Sequence, residues 1–196
     1  QNVFPVQKAR EVFALFQEYD GKISVFSDGY SIKDEHGIRR LTARFAKQTS
    51  TEANQPDDGR FTVVRDLAEW MSRHAHEVEK FCMFFDSIEI AQAALVRFRA
   101  FPGIEAVQGA PDNVEVTAAG VDKGTALLAL ADRLGIPREA TLAIGDSDND
   151  RAMLARAGVA AVMANALPEI RALGDIVSTC DNDHDGVAEL FERLGL

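Results

Sequence analysis

Beyond Gly120 the sequence alternates short apolar runs with amphipathic ones, and this alternation limits the fold more than any other feature. Residues 122–134 place Leu127, Leu128, Leu130, Ala131 and Leu134 at helical spacing, and Gly135 and Pro137 act as stop signals. TLAIG at 141–145 is a short apolar strand, 148–157 reads as a helix, and VAAVM at 159–163 as a second strand. Pro168 opens a further helix at an early position, where its missing N–H is tolerated. DIVST at 175–179 gives a third strand, and Val187, Leu190, Phe191 and Leu194 mark a closing helix. Strands joined through helices wind in one hand. The order therefore predicts an α/β fold with a parallel, doubly wound sheet and ligands at the strand C-termini.

The first part of the chain follows another pattern. Residues 7–19 carry Val12, Phe13, Leu15, Phe16 and Tyr19 at near-helical spacing, with Gly21 as a stop. KISVFSDGYSI predicts two extended pieces around Asp28-Gly29, a hairpin dipeptide. A helix is expected over 38–47, an exposed loop over 48–60, a second helix over 64–73 and a third over 87–99 with Ile88, Ala91, Leu95 and Phe98 on one face. VEKFCMFF at 78–85, residues 103–108 and residues 113–118 read as strands. Strands here come in pairs and not in strict alternation with helices, so the spacing predicts a separate α/β region.

Composition narrows the partners. A formal charge of −10 over 196 residues disfavours a nucleic-acid partner, which needs clustered Lys and Arg. No apolar run reaches the roughly 20 residues of a membrane-spanning helix. Cys82 and Cys180 form no metal-ligand spacing and are expected as buried free thiols of a cytoplasmic protein.

The chemistry concentrates in GDSDND, residues 145–150, where the strand TLAIG ends. Gly145 allows a sharp turn. Carboxylates beside a helix N-terminus offer hard oxygens to a divalent cation, while free backbone N–H groups attract an anion. Lys123, in GVDKG, precedes Asp146 by 23 residues. A helix over 123–134 travels about 18 Å at 1.5 Å per residue, and a strand over 140–145 returns roughly 20 Å at ~3.3 Å per residue. Lys123 and Asp146 should therefore meet at one edge of the sheet, where an ammonium can balance a phosphoryl group or a carboxylate.

GVDKG, LGIP, AIGDSDNDRAML, MANA and DNDHDGVAEL, in this order and spacing, resemble the haloacid dehalogenase superfamily, and within it the Cof-like sugar phosphatases with a large α/β cap. The resemblance is rich in motifs over 113–196 and architectural over 1–112. It implies a magnesium-dependent phosphomonoester hydrolase acting on small phosphorylated metabolites, such as sugar phosphates, through an aspartyl-phosphate. It further implies that Lys123 and Asp150 are catalytic, that Lys123 also binds the phosphoryl group, and that Asp146 is a magnesium ligand. Asn149 would contact the phosphate or the nucleophile, and Asp150 would partner metal-bound water or Lys123. Residues 1–118 would be the cap that sets substrate specificity, and 119–196 the C-terminal half of a Rossmann-like catalytic core.

The chain departs from the family in lacking its DxDGT nucleophile motif. VFSDGYS at 25–31 is no substitute, since Phe26 would stand at the nucleophile position. The expectation is a nucleophile supplied by a segment upstream of Gln1, an inactive chain without it, and an unpaired edge on TLAIG.

Three alternatives were open to the sequence. Ser147 with Asp150 makes a capping box, which would explain those two residues but not Asp146, Asn149 and Lys123 together. A non-catalytic binding or assembly module would suit a chain that begins at Gln1. Asp181, Asp183, Asp185, Gly186 and Glu192, with Glu189 at the ninth position, fit a calcium-loop pattern, yet the β-branched run before it reads as a strand where that loop needs a helix. Asp148 reads as a solvated or capping residue. His74 and His76 resemble a helix end more than a metal pair, Trp70 and the phenylalanines at 81, 84 and 85 read as core, and Asp34 and His36 could face a substrate.

Overall fold

A six-stranded sheet and a three-stranded sheet organise two separate units, Gln1–Ala119 and Gly120–Leu196. The computed structural model describes residues 2–35 and 61–196. The helix and loop expected over 38–47 and 48–60, and His36, lie outside the described residues.

In the first unit the chain runs α1 (Val6–Gln17), β1 (Gly21–Ser27), β2 (Tyr30–Asp34), β3 (Phe61–Val64), α2 (Leu67–His74), β4 (Val78–Phe85), α3 (Ile88–Arg99), β5 (Ile104–Val107) and β6 (Asn113–Ala118). The strands lie in the order β3-β2-β1-β4-β6-β5. All neighbours are antiparallel except β2 and β3, which are parallel. The β1–β2 turn places Asp28 at φ 49° and Gly29 at φ 80°, both left-handed, as a two-residue hairpin requires.

Residues spaced by two along β4 and β6 point to one face, where Phe81, Met83, Phe85, Val114 and Val116 are buried. Phe81 packs its ring 5.4–6.4 Å from Phe4, Phe13 and Phe16, and Phe16 meets Phe98 of α3 at 4.3 Å. Trp70 and Phe84 are half-buried, so the expected aromatic core is carried instead by Phe81, Phe85 and the α1 and α3 phenylalanines. Along α3 the buried face is Ala91, Ala94, Leu95 and Phe98, and Ile88 is exposed.

The second helix begins later than its periodicity suggests. Val64 belongs to the strand Phe61–Val64, and the Asp66 side chain accepts hydrogen bonds from the Ala68 and Glu69 N–H groups, which fixes the helix start at Leu67.

The second unit contains α4 (Lys123–Arg133), β7 (Leu142–Gly145), α5 (Arg151–Arg156), β8 (Val159–Val162), α6 (Pro168–Arg171), β9 (Ile176–Val177) and α7 (Gly186–Leu194). Its sheet, in the order β7-β8-β9, is parallel throughout. Alternation along the strands serves two cores. Ala143, Ala160, Val162 and Val177 pack with Leu127, Leu154 and Ile170, while Leu142, Ile144, Ala161 and Ile176 pack with Leu190. Helices thus cover both faces, the doubly wound α/β arrangement that the alternation predicts. β7 forms one edge of this sheet among the described residues.

Three details correct the sequence reading. Residues 148–150 form a 3-10 turn, and the α-helix starts only at Arg151. Cys82 is buried, but Cys180 is half-buried in a polar turn where its N–H donates to Glu189. Val187 and Phe191 of the closing helix are exposed, and Leu190 alone of the apolar residues is fully buried there. No described helix is long and apolar enough to cross a membrane.

Candidate active site at the end of strand 142–145

Lys123 owes its position to the residue before it. The Asp122 carboxylate accepts from the Thr125 N–H at 2.6 Å, and the Thr125 hydroxyl accepts from the Asp122 N–H at 3.0 Å, closing a capping box that makes Lys123 the first helical residue. Arg156 donates to the same carboxylate from α5 at 3.0 Å. Gly124 lets the two helices approach, since a Cβ there would stand 2.3 Å from the Ala152 carbonyl oxygen. Lys123 is thus held over the start of α5.

Its ammonium donates to Asp150 Oδ1 at 2.6 Å. Asp150 is buried, while the lysine side chain remains 49% exposed, so the pair presents a charged donor to solvent or ligand from a fixed base. The other oxygen, Asp150 Oδ2, accepts from the N–H groups of Asp146 (3.1 Å) and Ser147 (3.3 Å) and from the Ser147 hydroxyl (3.4 Å). Gly145 makes room for this carboxylate, because a Cβ at Gly145 would stand 2.5 Å from Asp150 Cβ. The capping-box reading and the lysine-partner reading of Asp150 hold together, one oxygen serving each.

This arrangement alters one expectation. The N–H groups of Asp146 and Ser147 are satisfied by Asp150 and are not free for an anion. The exposed Lys123 ammonium remains as a donor for an anion at this turn.

Asp146, half-buried at the strand end, accepts from Asn165 Nδ2 on Oδ2 at 2.8 Å. Its Oδ1 accepts no hydrogen bond among the described residues. Asn149 Oδ1 accepts from the Ser147 hydroxyl at 2.8 Å. Asp148 is paired with Arg151 at 3.2 Å on the helix side of the turn. Lys123, Asp146, Asn149 and Asp150 therefore all belong to one strand-end turn and the helix start facing it. Asn165, from the MANA motif, was not singled out by sequence reasoning. The available signal was its place just past the end of β8, the strand paired with β7 through Gly145 and Val162.

The donor set at Asp146 suits a small hard cation. Magnesium takes one or two protein carboxylates and fills its remaining positions with waters and substrate phosphate oxygens. A half-buried carboxylate with one uncommitted oxygen meets that need. Among the described residues no three His, Cys, Asp or Glu side chains gather into an all-protein metal cage.

The calcium-loop residues are arranged differently. The segment before Asp181 is the strand Ile176–Val177, and no helix precedes the loop. Glu189 turns its carboxylate to the N–H groups of Thr179 and Cys180 at 2.8–3.0 Å, which with Arg193 lowers its pKa to about 2. Asp181 is paired with His184 at 2.6 Å. Elsewhere, His74 stacks on Trp70 with ring centroids 4.8 Å apart, and both His74 and His76 approach Glu77.

The model of the haloacid dehalogenase-like hydrolases matches residues 1–191. The chain belongs to this family. Among curated family relatives, Phosphatase YwpJ of Bacillus subtilis is 39% identical over 106 residues, covering 54% of this chain and 37% of that protein. The 5-amino-6-(5-phospho-D-ribitylamino)uracil phosphatase YcsE of Bacillus subtilis is 35% identical over 118 residues, covering 60% of this chain and 47% of that protein. The chain spans less than half the length of either relative. A solved haloacid dehalogenase-like hydrolase from B. subtilis superposes with a TM-score of 0.80 at 26% identity, covering 98% of this chain and 72% of that one.

Proposed function

We propose that this chain is part of a magnesium-dependent phosphomonoester hydrolase of the haloacid dehalogenase-like family, acting on small phosphorylated metabolites such as sugar phosphates. The observation that carries the reading is the Lys123–Asp150 pair beside Asp146 at the end of β7. Phosphoryl transfer asks little covalent chemistry of a protein and much positioning and charge balance. The Lys123 ammonium is exposed enough to meet phosphoryl oxygens, and Asp150 fixes its direction. Asn149 supplies an amide at the same turn. Asp146 would hold magnesium, which when bound supplies positive charge to the phosphoryl oxygens. The acceptor carboxylate of an aspartyl-phosphate route is assigned to a segment outside these 196 residues, as the family resemblance implies. Residues 1–118 are proposed as the cap that ranks substrates. The phospho-ribityl substrate in the name of one relative supports a small phosphate monoester as the substrate class.

Lys123→Ala in the full-length protein is the decisive variant. Asp150 would keep the N–H donors of Asp146 and Ser147, so the fold should survive. Turnover of a phosphomonoester should fall on the order of 10²–10³-fold, the usual cost of removing one charge stabiliser. Near-parental turnover would remove Lys123 from the chemistry and the proposed function with it.

A further inference from the structure

Asn165 makes two hydrogen bonds that point in opposite directions. Its Nδ2 donates to Asp146 Oδ2 at 2.8 Å, and its Oδ1 accepts from the Asn182 N–H at 3.2 Å. This orientation is self-consistent, because turning the amide over would set two acceptors together at Asp146 and two donors together at Asn182. The backbone beneath it is also fixed. Ala164 N–H donates to the buried Ser178 hydroxyl at 2.9 Å, and the Ala166 N–H closes a turn to Met163 at 3.1 Å. Ala166 is itself buried, whereas Asn165 is exposed, so its side chain is held by the two hydrogen bonds and the fixed backbone beneath it.

A short carboxylate at a strand end has two rotatable bonds, and only some rotamers turn a given oxygen toward a ligand. Asn165 ties down Oδ2 and leaves Oδ1 as the uncommitted oxygen. We propose that Asn165 is a positioning residue for Asp146, holding its carboxylate so that Oδ1 faces a bound divalent cation, with the 181–185 loop acting as the backstop. The proposal rests on the reading of Asp146 as a metal ligand. Hydrogen-bond partners of ligating carboxylates typically carry about 10–100-fold in metal affinity.

The test is calorimetric titration of magnesium ion alone into the full-length protein, its Asn165→Ala variant and its Asp146→Asn variant. Asn165→Ala should weaken the magnesium Kd by about tenfold. Excess magnesium should restore its kcat to within about twofold of the parent, a recovery that a general loosening of the fold would not give. Asp146→Asn should lose the binding. If Asp146→Asn loses it and Asn165→Ala binds as the parent does, the positioning role is overturned and the metal reading stands. If Asp146→Asn binds magnesium like the parent, the metal reading fails and the role of Asn165 falls with it.

Discussion

The two units of this chain solve the packing problem with opposite materials. The first buries six phenylalanines, Phe4, Phe13, Phe16, Phe81, Phe85 and Phe98, against an antiparallel sheet face. The second has no buried aromatic residue among those described, and its interior relies on Ala131, Ala143, Ala157, Ala160, Ala161 and Ala166 with a few larger aliphatics. Large side chains hold helices away from a sheet and supply stability through area. Small ones let backbones come close, and the Lys123–Asp150–Asp146 network sits among those close approaches at Gly124 and Gly145. The first core is built for mass, the second for short distances.

That contrast predicts which kind of substitution each unit resists. Phe81→Ala removes the ring that touches Phe4, Phe13 and Phe16, and should cost about 3–5 kcal/mol. Hydrogen exchange should show the loss in strands β1, β4 and β6 while β7 and β8 keep their protection. Equal loss of protection in both sheets would show that the units are not energetically separate.

Gly124→Ala adds one methyl group where the second unit has no room. Exposed helix positions gain up to about 1 kcal/mol from this exchange. Here the Cβ would meet the Ala152 carbonyl oxygen at 2.3 Å, so the clash prevails and a net loss of about 1–3 kcal/mol is expected. Urea unfolding followed within the second unit reads the sign directly. A stabilised variant would mean that α4 and α5 can move apart, contrary to the close-packing account.

The smallest effect lies on the exposed loop behind Asn165. His184 is raised above its ordinary 6.5 mainly by its hydrogen bond to Asp181, and Asp181 is lowered below 3.8 by the same bond. The histidine contribution is fully present below about pH 6.5 and disappears as pH rises through the raised value. The aspartate contribution is present above about pH 4 and disappears as pH falls through the lowered value. The loop tie is therefore strongest between about pH 4 and 6.5. An NMR titration should place His184 above its ordinary value in the parent and return it toward that value in Asp181→Asn. An unchanged His184 titration would show that the pair does not form in solution.

Much of this was legible in the sequence because it is periodic or local. Helix-out and strand-back lengths brought Lys123 to the β7 strand end, and the Asp28-Gly29 dipeptide announced its hairpin. What escaped reading depends on side chains meeting across elements. Asp66 moved the start of α2 by capping, which periodicity alone does not weigh. Asp150 took the backbone N–H groups that were expected to stay free for an anion. Asn165 gained its place from the parallel register of β7 and β8, and sequence spacing from Asp146 gives no sign of it.

The parallel pairing of Ser31–Asp34 with Phe61–Val64, at the edge of an otherwise antiparallel sheet, bears on the order of events in time. The neighbouring hairpin closes through two residues, Asp28 and Gly29, whereas 26 residues (35 to 60) separate β2 from β3. Contacts between residues distant in sequence form more slowly than local ones. The hairpin can form on the microsecond scale as soon as its own residues are free. Strand β3 pairs, among the described residues, with β2 alone and across a long sequence separation, so its pairing is expected to form after the local hairpin has closed.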